Sequence, residues 1–187
     1  MSEPIEIPES VTWLFFDVGE TLLDETDSYR QHFAACSLAL ARMGIQISAD
    51  AYGELVRQAY VNGQSRPLFS VWTSLAGKAE KPKWQPTNEH LYPKTIETLG
   101  RLRERYQLAI IANQGEGLVE RLRAAGIDTY FKLIISSSEV HLKKPDARIF
   151  ELGLKKANIT ARQAALDLGQ DLRQHLSIKN WSMQNAL

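Results

Sequence analysis

Four short apolar runs, none cleanly alternating, constrain this chain more than any other feature. They are Val11 to Phe16, Leu108 to Ala112, Leu133 to Ile135 and Ala164 to Leu168. Their length and their β-branched and aromatic content favour strands over helices, and the lack of alternation implies cover on both faces. Helical spacing fills the intervals. Ile96, Leu99 and Leu102 precede the second run. Leu118, Val119, Leu122 and Ala125 follow it, with Gly126 where a left-handed C-terminal cap belongs. Phe150, Leu154 and Ala157 mark a further buried stripe after Pro145. Strand and helix therefore take turns, which predicts an α/β chain with right-handed crossovers and a parallel sheet.

The stretch from about Ser28 to Tyr92 breaks this alternation. Tyr29, Phe33, Cys36, Leu40 and Met43 form one long apolar stripe, closed by Gly44. Ser48 is placed to cap a second helix, with Leu55, Val56, Ala59 and Tyr60 on its face and Gly63 at its end. No strand signal interrupts the segment, so it reads as a helical insertion after the first strand. Pro82 and Pro86 mark the linker back. The expected domains are residues 1–24 plus 93–187 for the core and 25–92 for the insertion.

Composition narrows the class. The chain's 187 residues suit one compact core with a small accessory unit. Twenty-two basic residues balance 22 acidic ones, so no long-range field draws in nucleic acid or an anionic membrane. The N-terminus has neither a basic patch nor an apolar core, and no run approaches the roughly 18 to 20 residues of a membrane span. A single cysteine, Cys36, fits a reducing compartment, and the expected location is the cytoplasm.

Ligands of parallel sheets sit beyond the carboxyl ends of the strands. There the chain places Asp17-Val18-Gly19-Glu20-Thr21, then Asn113-Gln114-Gly115, then Lys143-Lys144-Pro145-Asp146, and last Gly169-Gln170-Asp171. This order resembles the haloacid dehalogenase-like hydrolases over about residues 11 to 171. Asp17 with Thr21 fits the family's first motif, Asn113 the second, and Lys144 before Pro145-Asp146 the third. The resemblance implies a Rossmann-like core and makes the helical insertion a cap domain. It implies a magnesium-dependent phosphatase acting on a small phosphorylated substrate. Asp17 is then the nucleophile and Lys144 the charge-neutralising partner. Asn113, Gln114 and Thr21 fall in the substrate-binding set, and the metal set is Asp17, the Gly19 carbonyl and Asp171.

Three departures accompany the resemblance. The family's phosphatases carry an aspartate, the general acid and base, where this chain has Gly19. Loss of such catalysis typically costs about 10² to 10⁴ in rate, so slow turnover or an activated leaving group is expected. Ala112 replaces a usual serine or threonine, a loss of about 0.5 to 1.5 kcal/mol for one hydrogen bond. In the fourth motif Gln170 stands where aspartate is expected, with Asp171 one place late, and Gln174 to Leu187 has poor helical patterning. The C-terminal part of the core is thus expected to be truncated or altered. A reading-frame shift is one explanation, since the codons for His175 to Lys179 read one nucleotide later can encode Ile-Tyr-Pro-Ser-Lys.

Two rivals follow from these departures. A dehalogenase would use Asp17 to displace halide without leaving-group protonation, and a non-catalytic relative would only bind a ligand or partner. A nucleotide-binding module is disfavoured, because neither a Walker lysine loop nor Gly-x-Gly-x-x-Gly follows any strand. His32, His90, His141 and His175 show no ligand spacing, and Trp13, Trp72, Trp84 and Trp181 read as packing residues.

Overall fold

A computed structural model describes residues 7–64 and 66–167. The elements run β1 (Trp13–Phe16), β2 (Leu23–Asp24), α1 (Thr26–Arg42), α2 (Ala49–Val61), α3 (Pro67–Ala76) and β3 (His90–Leu91). They continue α4 (Thr95–Leu102), β4 (Gln107–Ala112), α5 (Leu118–Ala124), β5 (Phe131–Ser136), α6 (Ser137–Val140), α7 (Ala147–Ala157) and β6 (Ala164–Asp167). Two compact units result. One holds the described residues up to Leu23 and from Leu91 onward; the other is Asp24–His90.

The first unit is an α/β core around a four-stranded sheet ordered β5-β4-β1-β6. All three strand pairings are parallel. The four apolar runs of the sequence are these strands, with boundaries moved by one or two residues. Successive residues of a strand point to opposite faces, and here both faces are buried. Leu14, Phe16, Leu108 and Ile110 join Leu99 of α4 and Leu118 and Leu122 of α5 in one core layer. Phe15, Ala109 and Ile111 join Ile149, Phe150 and Leu154 of α7 in the other. Cover on both sides is why the runs lack alternation.

Helix α7 lies so close to the sheet that a Cβ built at Gly153 would stand 2.8 Å from Ile111 Cδ1 and 3.3 Å from Phe15 Cε1. Gly126 has φ +73, the left-handed conformation expected after α5. One residue of the predicted α4 stripe does not join the core. Ile96 is 49% exposed, while Thr95 and Leu99, four apart on one face, are buried. Ile96 is one residue, about 100° of helix, away from that face.

The second unit packs α1, α2 and α3 around Cys36, Leu40, Tyr52, Val56, Val71 and Trp72. Ser48 caps α2 by accepting from the Ala51 amide at 3.1 Å. Met43, Leu55 and Tyr60, expected on the buried stripes, are exposed. Met43 is the C-cap residue of α1, already turning out of the helix. The third helix is an addition to the sequence reading. Pro67 at its start pre-sets the helical φ, and Val71 and Trp72 supply its buried face. The expectation that no strand interrupts 28–92 also needs correction. The two-residue strand β3 pairs with β2 in a separate small sheet, a length too short to leave a hydropathy pattern.

Candidate active site

Asp17 follows β1 directly, and its position is fixed by a tight loop. The backbone amides of Thr21, Leu22 and Leu23 all donate to the Val18 carbonyl, at 3.2, 2.9 and 3.0 Å. Val18 is fully buried and anchors the loop. Gly19 forms an isolated bridge with Leu23, and Glu20 adopts φ +55. The Val18 amide donates to Asp17 Oδ1 at 2.8 Å, which orients the carboxylate.

Lys144 reaches the same carboxylate. Its Nζ lies 2.6 Å from Asp17 Oδ2, with the two side chains 11% and 19% exposed. The approach has ion-pair distance without hydrogen-bond alignment, and the buried Nζ has no hydrogen-bond partner among the described residues. Thr21 Oγ1 is a second buried polar atom without one. Buried polar groups are nearly always satisfied in a native protein. The Thr21 hydroxyl, and the Lys144 ammonium beyond its ion pair with Asp17, therefore keep hydrogen-bonding capacity for a ligand rich in oxygen.

Asn113, at the end of β4, holds Lys144 by its main chain. Asn113 Nδ2 donates to the Lys144 carbonyl at 2.9 Å, and the Lys144 amide donates to Asn113 Oδ1 at 2.8 Å. Both ends of the amide thus grip one residue. Asp146, two residues further on, accepts from the Arg148 amide at 3.0 Å and caps α7. Gln114 is held by Arg121, whose Nη1 donates to Oε1 at 2.8 Å. Ser136, fully buried at the end of β5, donates to the Gln114 carbonyl at 3.0 Å.

The sequence reading placed Asp17, Gly19, Thr21, Asn113, Gln114 and Lys144 at strand ends, and the structure draws Asp17, Asn113 and Lys144 into one contact network. Asp171 and the altered fourth motif lie outside the described residues. Three supporting residues went unread in the sequence. Ser136 carried a signal, a polar residue ending the third apolar run. Arg121 looked like an ordinary helix-surface charge. Tyr92 donates its hydroxyl to Glu20 Oε2 at 2.8 Å, a contact across 72 positions that no local pattern could show.

Among the described residues no cluster of three or more His, Cys, Asp or Glu could hold a metal ion. Oxygen donors of the loop include the Asp17 carboxylate and the backbone carbonyls such as that of Gly19. Carboxylate and carbonyl oxygens are a donor set suited to a hard cation such as magnesium.

A carboxylate pairs with a largely buried lysine at the carboxyl edge of the parallel sheet. The model of the haloacid dehalogenase-like hydrolases matches residues 11–166, and the chain belongs to that family. It is 27% identical over 172 residues to the pyrimidine 5′-nucleotidase YjjG of Escherichia coli strain K12, covering 84% of this chain and 76% of that protein. It is also 27% identical over 161 residues to a glyceraldehyde 3-phosphate phosphatase of Methanothermobacter thermautotrophicus, covering 76% of this chain and 70% of the relative. The fold is shared with a phosphatase of the family from Thermococcus onnurineus, at TM-score 0.60 and 22% identity over 87% of this chain and 78% of that one. No helix among the described residues is long and apolar enough to cross a membrane.

Proposed function

We propose that this chain is a cytoplasmic phosphatase-type hydrolase that acts on a small phosphorylated metabolite. The observation that carries the reading is the 2.6 Å contact between Lys144 Nζ and Asp17 Oδ2, with the ammonium otherwise unpartnered among the described residues. Asp17 attacks phosphorus, the leaving group departs, and water then cleaves the aspartyl phosphate. Lys144 counters charge first on the carboxylate and then on the phosphoryl oxygens. Thr21 and Gln114 are read as further contacts to those oxygens. Asn113 keeps Lys144 in register and has one amide hydrogen left for substrate.

Magnesium, held by Asp17, the Gly19 carbonyl and Asp171, would neutralise phosphoryl charge and hold the group in line. The helical unit Asp24–His90 is read as the cap, whose side chains choose the substrate. The phosphatase relatives support this reading over a dehalogenase. Gly19 favours the dehalogenase as the second reading, since halide leaves without a proton.

Assaying p-nitrophenyl phosphate and 2-chloropropionate, each with magnesium and with chelator, separates the two. The proposal expects metal-dependent phosphate release that Asp17→Asn abolishes. Release of chloride alone would overturn it in favour of the second reading. If neither substrate is turned over, a non-catalytic binding role replaces both.

A further inference from the structure

The loop after β1 decides which leaving groups the site can expel. When Asp17 attacks phosphorus, the departing oxygen takes the bonding electron pair with it. An alkoxide, from an alcohol about as weakly acidic as water (pKa roughly 15.7), needs a proton to leave at neutral pH. A carboxylate, whose acid has pKa about 4, leaves as it stands.

The described residues around Asp17 offer no such proton. Val18 is apolar and fully buried, and Gly19 has no side chain. Glu20 is held by the Tyr92 hydroxyl at 2.8 Å. Thr21 supplies only a hydroxyl. Asn113 is clamped to the Lys144 main chain. Lys144 is the one ammonium in contact with Asp17 among these residues, and losing its proton would remove the charge that steadies the phosphoryl oxygens.

We propose that the site's substrates are small acyl phosphates, mixed anhydrides of a carboxylic acid and phosphoric acid. This rests on the phosphatase reading above. In the first step the Asp17 Oδ–P bond forms, the P–O bond to the acyl oxygen breaks, and the carboxylate leaves with the electron pair; no proton moves. The product on Asp17 is itself an acyl phosphate, so one mixed anhydride is exchanged for another of similar energy. In the second step water adds its oxygen to phosphorus and loses its proton to solvent, returning the Asp17 carboxylate. No described side chain is seen in contact with Asp17 as a base for that step, so phosphorylated Asp17 is expected to accumulate.

The test uses the full chain with magnesium and measures kcat/KM for acetyl phosphate, p-nitrophenyl phosphate and glycerol phosphate, with intact mass recorded during turnover. The expected result is a fall of at least about 10²-fold from acetyl phosphate to glycerol phosphate. One phosphoryl group should appear on the wild type and none on Asp17→Asn. Gly19 lies outside the left-handed region, so Gly19→Asp is compatible with the backbone and should raise glycerol phosphate turnover most. The wild-type series stands alone if that variant misfolds. Equal rates for acyl and alkyl phosphates would overturn the inference while leaving the phosphatase reading intact. No phosphorylated Asp17 and no turnover of any phosphate would overturn both.

Discussion

Two lysines of this chain meet partners in opposite ways. In the α/β unit Lys144 faces a carboxylate, and the two charges stabilise each other at 2.6 Å. In the helical unit Lys81 faces His32, with Nζ 3.0 Å from Nε2. An ammonium only donates, so the imidazole must accept and stay neutral. Burial and the Lys81 charge push His32 down to about 4. Burial likewise holds Lys81 below its ordinary value and raises the Cys36 thiol, which lies 3.6 Å from the same imidazole nitrogen. One pair joins an acidic and a basic side chain at the carboxyl edge of the sheet. The other suppresses charge to close a core, with Trp84 packed on Tyr29 and His32.

The sharpest way to break the contrast is at the first pair. Asp17→Asn removes the proposed attacker, and phosphate release should fall below detection. Lys144→Met leaves the attacker but loses its electrostatic partner, with kcat expected to drop about 10²- to 10³-fold. Asn113→Ala leaves both residues in place but releases the lysine's main chain. A loss of about 10-fold in kcat/KM is expected, the equivalent of one or two hydrogen bonds, and kinetics on both variants check the order.

At the second pair the effect should appear in stability against pH. His32 titrates at about 4 in the folded chain and near 6.5 when unfolded. Between those values the unfolded chain binds a proton that the folded one refuses. Stability is therefore full above about 6.5 and declines as pH falls towards 4, by on the order of 2 kcal/mol. Urea unfolding at several pH values should show the decline in the wild type and a shallower one in His32→Phe. The smallest effect belongs to the surface. Ile96→Lys, on the exposed side of α4, should change stability by less than about 0.5 kcal/mol.

The sheet was legible because covered strands leave uninterrupted apolar runs, and the site because its residues stand at the ends of those runs. Asp17 and Lys144 could be paired from sequence only through the family resemblance, since they lie 127 positions apart. The purpose of Asn113 was harder to see. An asparagine at a strand exit reads as a ligand contact or a turn residue, whereas here its amide grips another residue's main chain. Glu20 stands one place from Gly19 and is bound by the Tyr92 hydroxyl. Its attachment to Tyr92 depends on where the chain re-enters the α/β unit, information no window around Asp17 contains. Ile96 and Met43 failed for a simpler reason, because periodicity marks a stripe but not where it ends.

Gly153 gives the sheet and α7 a shared clearance with no room for a methyl group. The same helix begins three residues after Lys144 and carries the lysine's loop on its first turn. The thickness of the core is thereby coupled to the height of a cation above β1. A bulkier side chain at 153 would act as a wedge that lifts the amine off its carboxylate.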